Sequence, residues 1–183
     1  VNDEDDKIIA DEHSLNSIIY ALSNSNIKGK AEKSLKMLER LERSHIDGNW
    51  RVKPSSRSYN MVINACSNSF KADKKEKSQA LAIAIDVFSR LRTSNSVEAD
   101  KYTYIAMLKA CGKLLPTKSG ERRKLVEGVF RDCCNDGLVD DTVLSNFLIA
   151  APKDLSNLIL GGKKINPRAK ALPKAWTHQT FRR

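Results

Sequence analysis

Apolar residues along this chain fall into short clusters that recur at a nearly constant interval, the signature of a repeat architecture. Four windows superpose: Leu15-Asn16-Ser17-Ile18-Ile19-Tyr20-Ala21, Tyr59-Asn60-Met61-Val62-Ile63-Asn64-Ala65, Tyr104-Ile105-Ala106-Met107-Leu108-Lys109-Ala110 and Ser145-Asn146-Phe147-Leu148-Ile149-Ala150-Ala151. Each has an apolar pair at its centre followed by a small residue, and the offsets are 44, 45 and 41 residues. Behind the first three lies a second set, Ser34–Leu41, Ala84–Leu91 and Val126–Cys133. Its apolar positions are spaced so that they share one helical face. Each second helix is followed by a polar turn and a Ser or an acid: Ser55 after Pro54, Asp100, and Asp141. The predicted unit is a helical hairpin, and a lone hairpin cannot bury both its faces, so neighbours must stack.

The predicted fold class is therefore all-α, an α-solenoid of stacked helical hairpins with about three and a half repeats. The array covers 12–151, divided at 12–55, 56–100 and 101–141, with a partial unit from 142. An acidic segment, 1–11, precedes it, and a short helix and basic tail, 152–183, follow. Within that last part Lys153–Leu160 is at most a short helix, stopped by Gly161-Gly162. The units are lengthened by polar stretches between their helices. Ser69–Gln79 holds four lysines, and Leu114–Lys124 contains Pro116, Gly120 and the run Arg122-Arg123-Lys124. Such insertions read as solvated surface loops; the sharper alternative is that they touch phosphate.

Composition narrows the partners. Of 183 residues, 40% are apolar, 6% aromatic and 30% charged, and mean hydropathy is −0.46, which suits a soluble chain with a modest core. No apolar run approaches the roughly 18 residues of a membrane span, so a membrane is not among the expected partners. The net charge of +10 is uneven: residues 153–183 carry eight Lys/Arg against Asp154, whereas the first twelve carry six acids against Lys7. The excess favours a polyanionic partner through counterion release. The chain opens on Val and an acidic run, unlike a signal peptide or an Arg-rich transit peptide, and reads as a fragment or a processed chain.

No catalytic constellation emerges, so the expectation is a binding protein rather than an enzyme. His13, His45 and His178 are far apart in sequence, and Gly161-Gly162-Lys163-Lys164 lacks the upstream Gly and following Ser/Thr of a phosphate loop. Cys66, Cys111, Cys133 and Cys134 lack zinc or disulfide spacing and read as reduced packing residues in an intracellular compartment. No cofactor, metal or small-molecule substrate is expected.

The stretch Ser58-Tyr59-Asn60-Met61-Val62-Ile63-Asn64-Ala65, with the closing Asp100 and the following Tyr102-Thr103-Tyr104, resembles the pentatricopeptide repeat. The Ala84…Phe88…Leu91 pattern is similar to that family's second helix, and the likeness spans about residues 11–151. It departs in length, the family's unit being shorter, and the tetratricopeptide first-helix signature is absent. The resemblance implies binding of single-stranded RNA, one base per repeat, and an organellar setting in mitochondria or chloroplasts, in RNA processing, stability or translation. It implies that Asn16 with Ser55 and Asn60 with Asp100 read bases, leaning to cytosine and uracil respectively. Ile105 beside Asp141 would be a permissive slot, and Asn146 a reader without a recognisable partner. His13, Arg57, Tyr102 and Val143 would stand where the family sandwiches bases; the plainer reading makes them surface residues at helix starts. Trp176 can equally cap the last helices or stack on a base. The rival function is a protein-binding helical scaffold, or a structural subunit of a ribonucleoprotein assembly.

Overall fold

The computed structural model describes residues 11–49, 52–161 and 168–178, and the regular structure among them is all helical. The acidic residues 1–10 and, in the tail, Gly162, Lys163, Lys164, Pro167, Arg182 and Arg183 lie outside the described residues. The helices are α1 (Glu12–Asn24), α2 (Lys30–Ile46), α3 (Ser56–Ser67), α4 (Lys74–Thr93), α5 (Lys101–Leu114), α6 (Gly120–Asn135), α7 (Asp141–Ala150), α8 (Lys153–Leu160) and α9 (Lys174–Thr177), with a single 3-10 turn at Ala169–Ala171. Among the described residues no helix is long and apolar enough to cross a membrane.

Each odd-numbered helix up to α7 starts at a polar N-cap whose side chain or hydroxyl partner satisfies free amides of the first turn. Asp11 accepts from the Ser14 amide at 2.7 Å, Asp100 from Thr103 at 2.9 Å and Asp140 from Val143 at 2.8 Å. Ser55 caps α3 reciprocally with Ser58. From these starts the same positions go inside. Leu15, Tyr59, Tyr104 and Leu144, each four residues past a cap, are buried, as are Ile19, Ile63 and Leu108 one turn on. α1 packs on α2 and α3, α3 on α4 and α5, and α5 on α6 and α7. The second helices contribute the face the periodicity predicts: Leu38 and Leu41; Ala84, Val87 and Leu91; Val126, Val129, Phe130 and Cys133.

Two Tyr–acid–Arg clusters tie the even helices to this row. The Tyr59 hydroxyl donates to Glu42 at 2.8 Å, and Arg90 pairs with the same carboxylate. One unit on, the Tyr104 hydroxyl donates to Asp136, which Arg92 also holds. Burial and the carboxylate neighbour push both phenols well above their usual range.

Three sequence expectations are corrected. The lysine-rich stretch Ser69–Gln79 is only partly a loop, because Asp73 accepts from the Glu76 amide at 2.8 Å and starts α4 at Lys74. Likewise Ser119 caps α6 from Gly120, so Arg122-Arg123-Lys124 is helical. Arg122 is buried at 6% exposure, and Arg123 pairs with Asp154. Neither guanidinium is a free phosphate contact.

In the described part of the tail, residues 168–178 pack against α6 and the start of α7. Gly161, in the left-handed region at φ 73°, terminates α8 where an L side chain would be strained. Farther on, the Val139 amide donates to the Trp176 carbonyl at 2.9 Å, and the Trp176 ring lies edge-on to Phe130 at 6.0 Å. Of the two roles open for Trp176, packing is the one its geometry occupies.

All four cysteines are free and buried. Burial pushes the Cys66, Cys111 and Cys134 thiols up to about 12, and Cys133 upward as well. Thiolates are the reactive form, so a thiol reagent should label none of the four in the native protein and all four in denaturant, as counted by mass spectrometry.

Candidate functional site

The starts of α1, α3, α5 and α7 lie side by side, and a ladder of polar contacts joins them. The first residue of each helix bonds the N-cap of the next. Ser55 Oγ donates to Glu12 Oε1 at 2.8 Å, Ser56 Oγ to Asp100 Oδ2 at 3.0 Å, and Lys101 Nζ to Asp140 Oδ2 at 2.8 Å. Residues some forty apart in sequence thus meet at one edge. Burial raises the Asp140 carboxyl, but the Lys101 ammonium and the capped amides outweigh it and hold it below its ordinary value.

The two expected base readers with named partners, Asn16 and Asn60, sit five residues past a cap and share one bonding pattern. Asn60 Nδ2 donates to Asp100 Oδ1 at 2.9 Å, joining the two residues expected to act as a pair. Asn16 Nδ2 donates to Glu12 Oε1 at 3.1 Å, and Glu12 relays to Ser55. An ionised carboxylate only accepts, so it orients the amide with its donor end inward. The Oδ1 atoms of Asn16 and Asn60 are both buried and have no donor among the described residues. Asn60 is 6% exposed, so its pair forms the floor of the face rather than its rim.

The later units differ. Ile105 occupies the same position in α5, buried and without polar atoms in its side chain. In α7 the register is one residue earlier than the sequence alignment. Asp140, with extended backbone, is the cap, and Asp141 is the first helical residue. The equivalent position is therefore Ser145, not Asn146. Both turn back onto their own helix, Ser145 Oγ to the Asp141 carbonyl and Asn146 Nδ2 to the Thr142 carbonyl. Asp141 instead accepts from the Ala169 amide at 2.6 Å, anchoring the returning tail.

His13, Arg57 and Tyr102, each two residues past a cap, are exposed along this edge, with the Lys101 ammonium 5.3 Å from the Tyr102 ring. Val143 does not join them: it is fully buried, and the exposed α7 counterpart is Thr142. Between α1 and α3 an open cleft of about 360 Å³ is lined by His13, Asn16, Tyr20, Arg57 and Met61. Sequence reasoning missed two residues here. Glu12, one turn before Asn16, was legible as an i,i+4 partner. Tyr20, 63% exposed one turn after it, carried no signal beyond being a large apolar residue off the buried face.

Among the described residues no group of three or more metal-ligating side chains comes together. No family model, curated protein or solved structure matches this chain.

Proposed function

We propose that the chain is a short α-solenoid of the pentatricopeptide type that binds single-stranded RNA, without catalysis, along the face made by α1, α3, α5 and α7. The observation that carries this reading is the shared state of Asn16 and Asn60. Each amide is held by a carboxylate through Nδ2 and keeps an Oδ1 that no group among the described residues satisfies. Buried polar atoms are normally paired, and a base edge offering an N–H, such as uracil N3–H or cytosine N4–H, supplies the missing donor. Side chains over Asn60 must move aside for a base to reach it. His13, Arg57 and Tyr102 supply flat groups at the spacing of successive units, and stacking on such groups is worth about 1–3 kcal/mol per base. The buried Ile105 makes the third unit a non-reading one. An organellar role in RNA processing, stability or translation follows from the family likeness alone.

The test is the Asn60→Ala variant against oligonucleotides differing at one pyrimidine. It should keep the helical circular dichroism spectrum and lose roughly tenfold in discrimination, about 1.4 kcal/mol. Unchanged discrimination would reject Asn60 as a reader.

A protein partner is the second reading, favoured by one feature: Ile149 and Leu158, on α7 and α8, are 76% and 65% exposed. Isolated apolar residues are common on surfaces, whereas orphaned amide acceptors recurring at equivalent positions are not, and RNA is preferred on that ground.

A further inference from the structure

At the opposite ends of the first helices, where the chain turns into the second helices, five lysines converge from three successive units. Lys28 and Lys30 lead into α2, Lys71 lies between α3 and α4, and Lys109 and Lys113 stand one turn apart on α5. An open cleft of about 430 Å³ runs between Lys28, Lys30, Asn68 and Lys71. Lys113 Nζ reaches Asn68 Oδ1 at 3.3 Å, and the ammonium groups of Lys71 and Lys113 both face the Phe70 ring, at 5.8 and 5.1 Å.

What distinguishes this cluster is the lack of close ion pairs among the described residues. Arg90, Arg92, Arg123 and Arg131 each pair with a carboxylate, but among the described residues none of these five lysines has one within salt-bridge distance. The acid in the cleft wall, Glu76, accepts from the Gly29 amide at 2.8 Å and also acts on Lys30 through space, as Asp73 does on Lys28, so the lysines outnumber the acids without being free of them. Lys30 is buried at 8% exposure, and its ammonium donates to the Ser25 carbonyl at 2.8 Å. Burial lowers the affinity of Lys30 for its proton, against the opposing pull of Glu76 and with a smaller push from Lys71; at Lys113 burial and then Lys109 and Lys30 act in the same direction.

We infer that this lysine edge is a phosphate site that takes the backbone of single-stranded nucleic acid without reading its bases. The cations form a row across three packed units rather than a cage, which matches a polymer of regularly spaced charges better than one small ion. Lysine binds phosphate as a point charge and tolerates any base. The site extends the RNA reading, giving the strand a contact remote from Asn16 and Asn60.

The experiment uses the triple variant Lys71→Gln, Lys109→Gln, Lys113→Gln, which leaves Lys30 on its carbonyl, with helicity checked by circular dichroism. Binding of a fluorescent oligouridylate is followed against salt, with inorganic tripolyphosphate as competitor. Losing three contacts should reduce the log–log salt slope by roughly 2, with the pyrimidine preference of the intact chain retained. A slope equal to that of the intact chain, or no oligouridylate binding by the intact chain, would overturn the site. Displacement of the RNA by tripolyphosphate at equal charge concentration would reassign it to free polyphosphate and overturn the backbone assignment. If the Asn60→Ala variant keeps its base preference while the lysine variant loses slope, base reading at Asn60 fails and the phosphate edge stands.

Discussion

Replacing Arg122 with Met is expected to remove about 3 kcal/mol of stability, seen as a lower urea midpoint with an unchanged m-value. This side chain is where two first helices and a second helix are fastened together. Nε donates to the Ala150 carbonyl at 2.7 Å and Nη2 to Ile149 at 3.2 Å, both in the last turn of α7. Nη1 donates to Gly112 at 2.9 Å and to Leu115 at 3.1 Å, at the end of α5. The last carbonyls of a helix have no partner within it and carry its negative dipole end. One buried guanidinium serves two such ends, and burial lowers its proton affinity. Met keeps the aliphatic volume but strands these acceptors, each worth about 1–3 kcal/mol when left buried and unpaired. Water entering the site recovers part of that, which is why the net falls near 3 rather than at the sum. For a chain of this size the melting temperature should drop by about 6–12 °C. Arg122→Lys should fall between, since an ammonium reaches fewer of the carbonyls at once. A loss below about 1 kcal/mol would show that these helix ends are hydrated in solution.

The same junction explains Gly112. A Cβ there would stand 3.4 Å from the Ala150 backbone and 3.5 Å from its methyl. α5 and α7 approach closely enough for the Arg122 fork to reach both.

Phe130→Ala should cost about 4 kcal/mol, within the range for a large core truncation. Phe130 is fully buried on α6. Its ring stacks on Phe147 of α7, centroids 3.9 Å apart and 17° from parallel, and takes the edge of Trp176 at 88°. The residue therefore joins the last packed helices to the returning tail. Its loss should shift the Trp176 emission to the red and raise its quenching by iodide, measured in a variant with Trp50 replaced by Phe. Unchanged emission would mean that the tail is held by the Val139–Trp176 backbone bond and the Ala169 amide on the Asp141 carboxylate alone. Truncating the basic tail is consequently not a pure charge deletion, because it also strips Trp176 from Phe130.

Much of the helical organisation was legible in residue order. Apolar spacing placed Leu38, Leu41, Val87, Leu91, Val126 and Phe130 on inward faces, and all are buried, because burial of a helix face depends mainly on period. The pairing of Asn60 with Asp100 was reached through family likeness, and the two atoms meet at 2.9 Å. Other features were not legible. Asp140 and Asp141 are chemically equivalent caps on paper; only the helix's packing decides which carboxylate meets the Val143 amide, and that choice moved the fourth unit's register by one. The lysine stretch after Phe70 looked like a loop because charge says nothing of helix when side chains can stay solvated, whereas the Asp73 cap starts α4 inside it.

By itself, then, residue order determined that this chain is helical and where many of its inward faces lie, since those are consequences of local propensity and apolar period. Tertiary structure alone decided that Arg122 belongs to the interior, that Glu12 relays between Asn16 and Ser55, and that five lysines from three units share one edge. Such groupings depend on which distant segments touch, and a polar side chain's role is set by the partners that packing brings within hydrogen-bonding reach.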